Sequence, residues 1–152
     1  MQKVHLLGLV ALFLVSCGQS SNGLPNGDVS GEIRGTAPGE GTLKMTAQGI
    51  GLGGIVAANV PQVTGTFVKT GYVISLPAVT ETSAVEVFAY RDRNGNGRYD
   101  LTEPRTSGRN FVYLKRGSVV SSLAGLQPGW NLMDGLRVVQ SGAPFIGVHL
   151  TW

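Results

Sequence analysis

Twelve residues carry most of the chemistry this sequence can offer: Asp92-Arg-Asn-Gly-Asn-Gly-Arg-Tyr-Asp-Leu-Thr-Glu103. Asp or Asn stands at the first, third, fifth and ninth positions, Gly at the sixth and Glu at the twelfth. That spacing suits a hard cation, which takes six to eight oxygens at ~2.3–2.6 Å from a chain able to curl around it. Asp92, Asn94 and Asn96 would offer side-chain oxygens and Arg98 its backbone carbonyl. Asp100 would act directly or through water, and Glu103 would close the shell with both carboxylate oxygens. Gly97 stands where the chain must turn with positive φ, and Tyr99 takes the apolar anchor position. The expected cofactor is a structural Ca²⁺, held weakly because carboxylates are few and arginines many.

A metal-free turn competes with this reading. Asn-Gly occurs twice in succession and is the strongest short hairpin signal. Arg91, Arg93, Arg98 and Arg105 could neutralise the three carboxylates by pairing with them. Yet a hairpin needs one Asn-Gly and gives no reason for Asp100 and Glu103.

The flanks are not those of an EF-hand. Ser83 to Tyr90 alternates like a strand, with Val85, Val87 and Ala89 against Glu86, Phe88 and Tyr90, and Pro104 followed by Thr-Ser-Gly cannot start a helix. The run Val85 to Glu103, in which a V-x-V-x-x-Y strand enters D-x-N-x-N-G-x-x-D-x-x-E, resembles the calcium-binding B-type repeats of bacterial surface adhesins. The resemblance implies a prealbumin-like sandwich and a structural ion. Thr102 departs from it, since those repeats commonly carry Gly there.

The elements around the loop read as strands. Residues 29–36, 42–48, 72–77, 83–90, 110–116 and 146–152 are short, period-two, and bounded by turn residues. In the last of them Ile146, Val148, Leu150 and Trp152 share one face. No stretch carries a helical stripe. The fold predicted is all-β: an antiparallel, prealbumin- or Ig-like sandwich of about seven to nine strands, with a small barrel as the alternative. Gly49–Asn59 and Gly117–Pro128 resist placement, and the second could hold a helical turn or an edge strand.

The N-terminus predicts an address. Lys3 precedes the apolar run Val4 to Val15, which has the length of a signal-peptide core and falls short of the ~20 residues that span a bilayer. Leu14-Val15-Ser16-Cys17 resembles the lipobox of bacterial lipoproteins. The resemblance implies removal of residues 1–16, diacylglyceryl transfer to the Cys17 sulfur, and acylation, as by palmitate, of the new amino group. It would also relieve a lone cysteine of its reactivity outside the cytoplasm. Residues 17–28 then form a lipidated, Gly-, Ser- and Asn-rich linker, and 29–152 one domain. The expected location is the cell envelope, facing away from the cytoplasm. Gly18 after the cysteine favours an outer membrane where one exists.

Composition narrows the task further. With Lys3 removed, 11 basic residues face 9 acidic ones and no basic run occurs, which argues against a nucleic-acid partner. Removing His5 leaves His149 as the sole histidine, and no G-x-S-x-G elbow or zinc pair exists. A carboxylate pair among Glu32, Glu40, Glu81, Glu86 and Asp134 is the remaining hydrolytic option. Gly49–Gly54 lacks the strand-to-helix setting of a phosphate loop. Trp130, in a turn-like Pro-Gly-Trp-Asn, could touch a glycan or fold back over the sandwich end. The expected role is non-catalytic: adhesion, envelope structure, or binding of protein or glycan. The alternative is a small carrier holding an apolar ligand between its sheets, with Gly49–Val60 as lip. A hydrolase ranks third.

Overall fold

Alternating β-branched, aromatic and polar residues let an extended chain bury one face, and the frequent glycines let it turn back. The computed structural model describes residues 27–55, 60–120 and 122–152, and within them this pattern forms twelve short strands and no helix. One sheet holds β1 (Val29–Gly31), β5 (Thr66–Val68), β6 (Gly71–Ile74) and β11 (Phe145–Ile146), in the order β11-β1-β6-β5. The other holds β3 (Thr42–Gly49), β4 (Val63–Thr64), β7 (Ser83–Asp92), β8 (Arg109–Leu114), β9 (Gly129–Asp134) and β10 (Arg137–Ser141), in the order β10-β9-β8-β7-β3-β4. Neither closes into a barrel, so the architecture is a β-sandwich. Pairing is antiparallel except where β1 meets β11 and where β2 (Ile33–Arg34) meets β12 (Leu150–Thr151).

Between the sheets lie Val29, Met45, Tyr72, Ile74, Val85, Val87, Ala89, Phe111, Phe145 and Leu150. Phe111 and Phe145 meet edge to face at 5.1 Å, and the buried Tyr72 hydroxyl donates to the Val148 carbonyl at 2.6 Å. The faces of β3 and β7 assigned to the core by alternation are the ones that fill it. The opposite face of the larger sheet is covered too. Ile55 and Leu123, from the two stretches that resisted placement, pack on Ala84, Val112 and Met133. Leu52 and Ile55 exchange backbone hydrogen bonds at 3.1 and 2.9 Å, so the glycine-rich stretch makes a tight turn against the sheet.

Several expectations need correction. Twelve segments replace seven to nine strands, because Glu32, Gly65 and the stretch from Gly147 to His149 each break a longer strand in two. Gly147, at φ +76°, reverses the alternation, so Ile146 is 78% exposed while Val148 and Leu150 are buried. Residues 129–141, where a turn was expected, form the β9–β10 hairpin, closed by the two-residue turn Gly135-Leu136. Trp130 therefore sits on β9 rather than in a turn, half-buried, its ring edge-on to Tyr113 at 5.5 Å. Among the described residues no helical turn occupies the Gly117–Pro128 stretch.

Residues 1–26, including Cys17 and the lipobox, lie outside the described residues. Residue 28, read as linker, is already tied into the fold: its carbonyl accepts from Phe145 N–H at 2.7 Å and its Oδ2 from Leu76 N–H at 2.8 Å.

Candidate metal centre

β7 delivers the loop. Its outward face runs Glu86, Phe88, Tyr90, Asp92, and the 93–108 excursion folds back over that face before β8 begins. Tyr99 anchors the fold-back, edge-on to Phe88 at 4.9 Å and to Tyr90 at 5.6 Å. Arg105 caps the cluster, its guanidinium 4.5 Å from the centre of the Phe88 ring and hydrogen-bonded to both Glu86 oxygens at 2.6 and 3.1 Å. This aromatic and arginine clamp was not foreseen. Its signal was the shared parity of Phe88, Tyr90 and Asp92.

The loop is wound around its own carboxylates. Asp92 Oδ2 accepts from Gly97 N–H at 2.9 Å, and Glu103 accepts from Arg93 N–H at 2.7 Å and Asp100 N–H at 3.0 Å. Asp100 Oδ2 takes the side-chain amides of Asn94 at 2.6 Å and Asn96 at 2.9 Å. The Asn94 and Asn96 amide oxygens accept from Asn96 N–H and Arg98 N–H at 3.0 and 2.7 Å. Gly95 and Gly97 both have φ +72°, which only a glycine adopts freely. Asp92, Asn94, Asn96, Asp100 and Glu103 thus line one curl, with the Arg98 carbonyl on the same turn.

The arginines do not neutralise it. Arg105 is committed to Glu86, and Arg91 donates to the Gly41 carbonyl at 2.9 Å. Among the described residues the Arg and Lys ion pairs are Arg34–Glu32, Arg105–Glu86 and Lys115–Glu81, so Asp92, Asp100 and Glu103 have no cationic partner. Asp92 is 3% exposed and Glu103 6%, and Asp92 Oδ1 is buried with no hydrogen-bond partner. A buried carboxylate oxygen without a donor is unfavourable by about 1–3 kcal/mol or more, so a cation fits this position. Among the described residues no three or more His, Cys, Asp or Glu side chains cluster tightly enough to hold a metal unaided. Amide and carbonyl oxygens would have to complete the shell, as calcium permits and zinc does not.

The Tyr90 hydroxyl is buried beside the loop, near Gln62, whose Nε2 is also buried without a partner. Burial, then the charges of Asp92 and Glu103, push its pKa above the ordinary 10.0, and burial does the same to Tyr72. The unfolded chain loses these protons first as pH rises past the ordinary value. Above about pH 10 it therefore binds fewer protons than the folded chain, and stability falls with pH, by up to about 1.4 kcal/mol per unit for each group. Urea midpoints should drop above pH 10, less steeply in Tyr72→Phe.

Of the remaining candidates, Asp134 and His149 line one groove with Arg109, and Glu40 lines another with Arg93. Nδ1 of the half-buried His149 accepts from Glu32 N–H at 3.3 Å. Glu32, Glu81 and Glu86 are each held by a neighbouring cation. The grooves beside His149 are open; the larger, about 350 Å³, is lined by Arg109, Leu132 and Val139 from the larger sheet and by Ile146 from the smaller one. No described helix is long and apolar enough to cross a membrane. In comparisons with known proteins, no family model, curated protein or solved structure matches the chain.

Proposed function

We propose that the chain is a membrane-anchored, extracytoplasmic lipoprotein whose β-sandwich is stabilised by Ca²⁺ and has a non-catalytic role in adhesion, envelope structure or protein or glycan binding. The observation that carries the calcium part is the buried, partnerless Asp92 Oδ1 in a curl whose three carboxylates have no cation. Asp92, Asn94, Asn96, Asp100, Glu103 and the Arg98 carbonyl would hold the ion. Its contribution would be to neutralise charge and lock the loop onto Phe88 and Tyr90.

The anchor part rests on the lipobox, and the fold adds a direction to it. The chain enters at Asp28, and β1 and β2 run about 20 Å before the turn into β3. Thr42, the start of β3, pairs with Asp92 at the end of β7. The calcium loop therefore lies at the pole remote from the tether, the end a surface-held domain would present outward. Wild-type protein should fractionate with membranes, lose residues 1–16 and incorporate labelled palmitate, and Cys17→Ser should keep residues 1–16 and take up no label. Label that persists in Cys17→Ser, or is missing from membrane-bound wild type, would refute the anchor.

A further inference from the structure

The loop contains a second chemistry that ion binding alone does not use. Asn94-Gly95 and Asn96-Gly97 are exposed or partly exposed, and a Cβ built on either glycine would meet nothing within 4 Å. Among the described residues no hydrogen bond holds the Gly95 amide nitrogen, whereas Gly97 N–H is held by Asp92 Oδ2 at 2.9 Å. An unhindered Asn-Gly amide is the peptide setting most prone to attack on its own side chain, since glycine carries no bulk to block ring closure.

We infer that Asn94 and Asn96 are sites of spontaneous deamidation, and that calcium, on the reading proposed above, protects them. The Gly95 backbone nitrogen, giving its proton to solvent base, attacks Asn94 Cγ. A new C–N bond closes a succinimide, and Nδ2 leaves as ammonia. One water then opens the ring at either carbonyl, giving aspartate or isoaspartate, and the same steps join Gly97 nitrogen to Asn96 Cγ, more slowly, once Gly97 N–H has left Asp92 Oδ2. In the metal-free loop only hydrogen bonds to Asp100 and to backbone amides hold these side chains. An ion gripping both amide oxygens would keep Cγ away from the glycine nitrogen.

The two products act oppositely on the site. Aspartate at 94 and 96 adds carboxylates to the curl, and affinity rises with ligand charge. Isoaspartate inserts an extra backbone atom between Asp92 and Gly97, whose hydrogen bond at 2.9 Å sets the curl. A loop left empty long enough would thus be altered irreversibly, which makes the site a chemical record of calcium starvation.

The sequence supplies its own control. Asn22-Gly23 and Asn26-Gly27 are the same dipeptide elsewhere in the chain. Full-length protein is aged at mildly alkaline pH in EDTA or Ca²⁺, and peptide mass spectrometry follows conversion of asparagine to aspartate and isoaspartate at all four positions. If only the empty loop reacts, calcium at ten times Kd should slow positions 94 and 96 about tenfold and leave 22 and 26 unchanged. An Asn94→Asp, Asn96→Asp chain should bind Ca²⁺ more tightly than wild type. Loop asparagines that stay intact in EDTA while the control pairs convert would overturn the inference. Equal loop conversion with and without calcium would overturn the protection. A melting curve on the same samples separates the causes: a calcium-induced rise without protection sinks this inference alone, and no rise sinks the calcium reading with it.

Discussion

Calcium should raise the unfolding midpoint of the wild-type chain by about 10 °C at a hundredfold excess over Kd, a stabilisation of about 2.7 kcal/mol. Mg²⁺ should do far less, because it demands a tighter octahedral shell and gives up its waters reluctantly. Asp92→Asn makes the sharper test. The substitution keeps shape and leaves an oxygen to accept from Gly97 N–H, but removes a buried charge that has no cation. In EDTA the variant should be as stable as wild type or more so, since an unpaired buried charge is unfavourable to the fold. In calcium the order should reverse, because the increment disappears. Such a crossover is hard to obtain from a turn with no affinity for metal. Coincident wild-type curves in calcium and EDTA would show the loop to be metal-free.

The same residues show what could be read before any coordinates. The curl of the loop was legible because Asn-Gly pairs favour a tight turn with positive φ, which Gly95 and Gly97 adopt. The core faces of β3 and β7 were legible because period-two alternation survives wherever a strand is regular. Legibility failed where the outer face was also buried. Thr46 is fully buried although it alternates with Met45 and Ala47, and its hydroxyl donates to the Val63 carbonyl on the neighbouring strand at 3.2 Å. It failed again at Gly147, where one left-handed residue inverts every later side chain, and at Trp130, whose flanking Pro-Gly announces a turn one residue before a strand. Arg105 was counted among the loop's counter-charges. Its true partner, Glu86, lies 19 residues away in sequence and is brought near only by the fold-back of the 93–108 excursion.

Gly31→Ala should be among the most damaging single-methyl additions this chain can suffer, about 3 kcal/mol or more. Gly31 ends β1 in an ordinary backbone conformation, so the objection is one of space. A Cβ there would overlap the Val148 backbone, with the carbonyl oxygen and carbon both closer than any contact allows. That carbonyl cannot retreat cheaply. It accepts the Tyr72 hydroxyl at 2.6 Å, while Val148 N–H donates to the Ser30 carbonyl at 3.0 Å. Making room would strip β11 and β12 from β1 and β2 and leave the buried Tyr72 hydroxyl without an acceptor. Gly71 meets the same crowding from the other side, since its Cβ would strike the Gly31 carbonyl, and at φ +156° its conformation disfavours a side chain as well. β1 is also the strand through which any pull on residue 28 enters the fold, held by β6 on one side and β11 on the other. Urea unfolding in EDTA should show a large fall in midpoint at unchanged slope for Gly31→Ala. Asp92→Asn under the same conditions should show almost none, which separates the strand that holds the domain together from the loop proposed to bind calcium. A Gly31→Ala midpoint near wild type would mean that β11 and β12 can move outward without loss, and that the parallel edge contributes little to the sandwich.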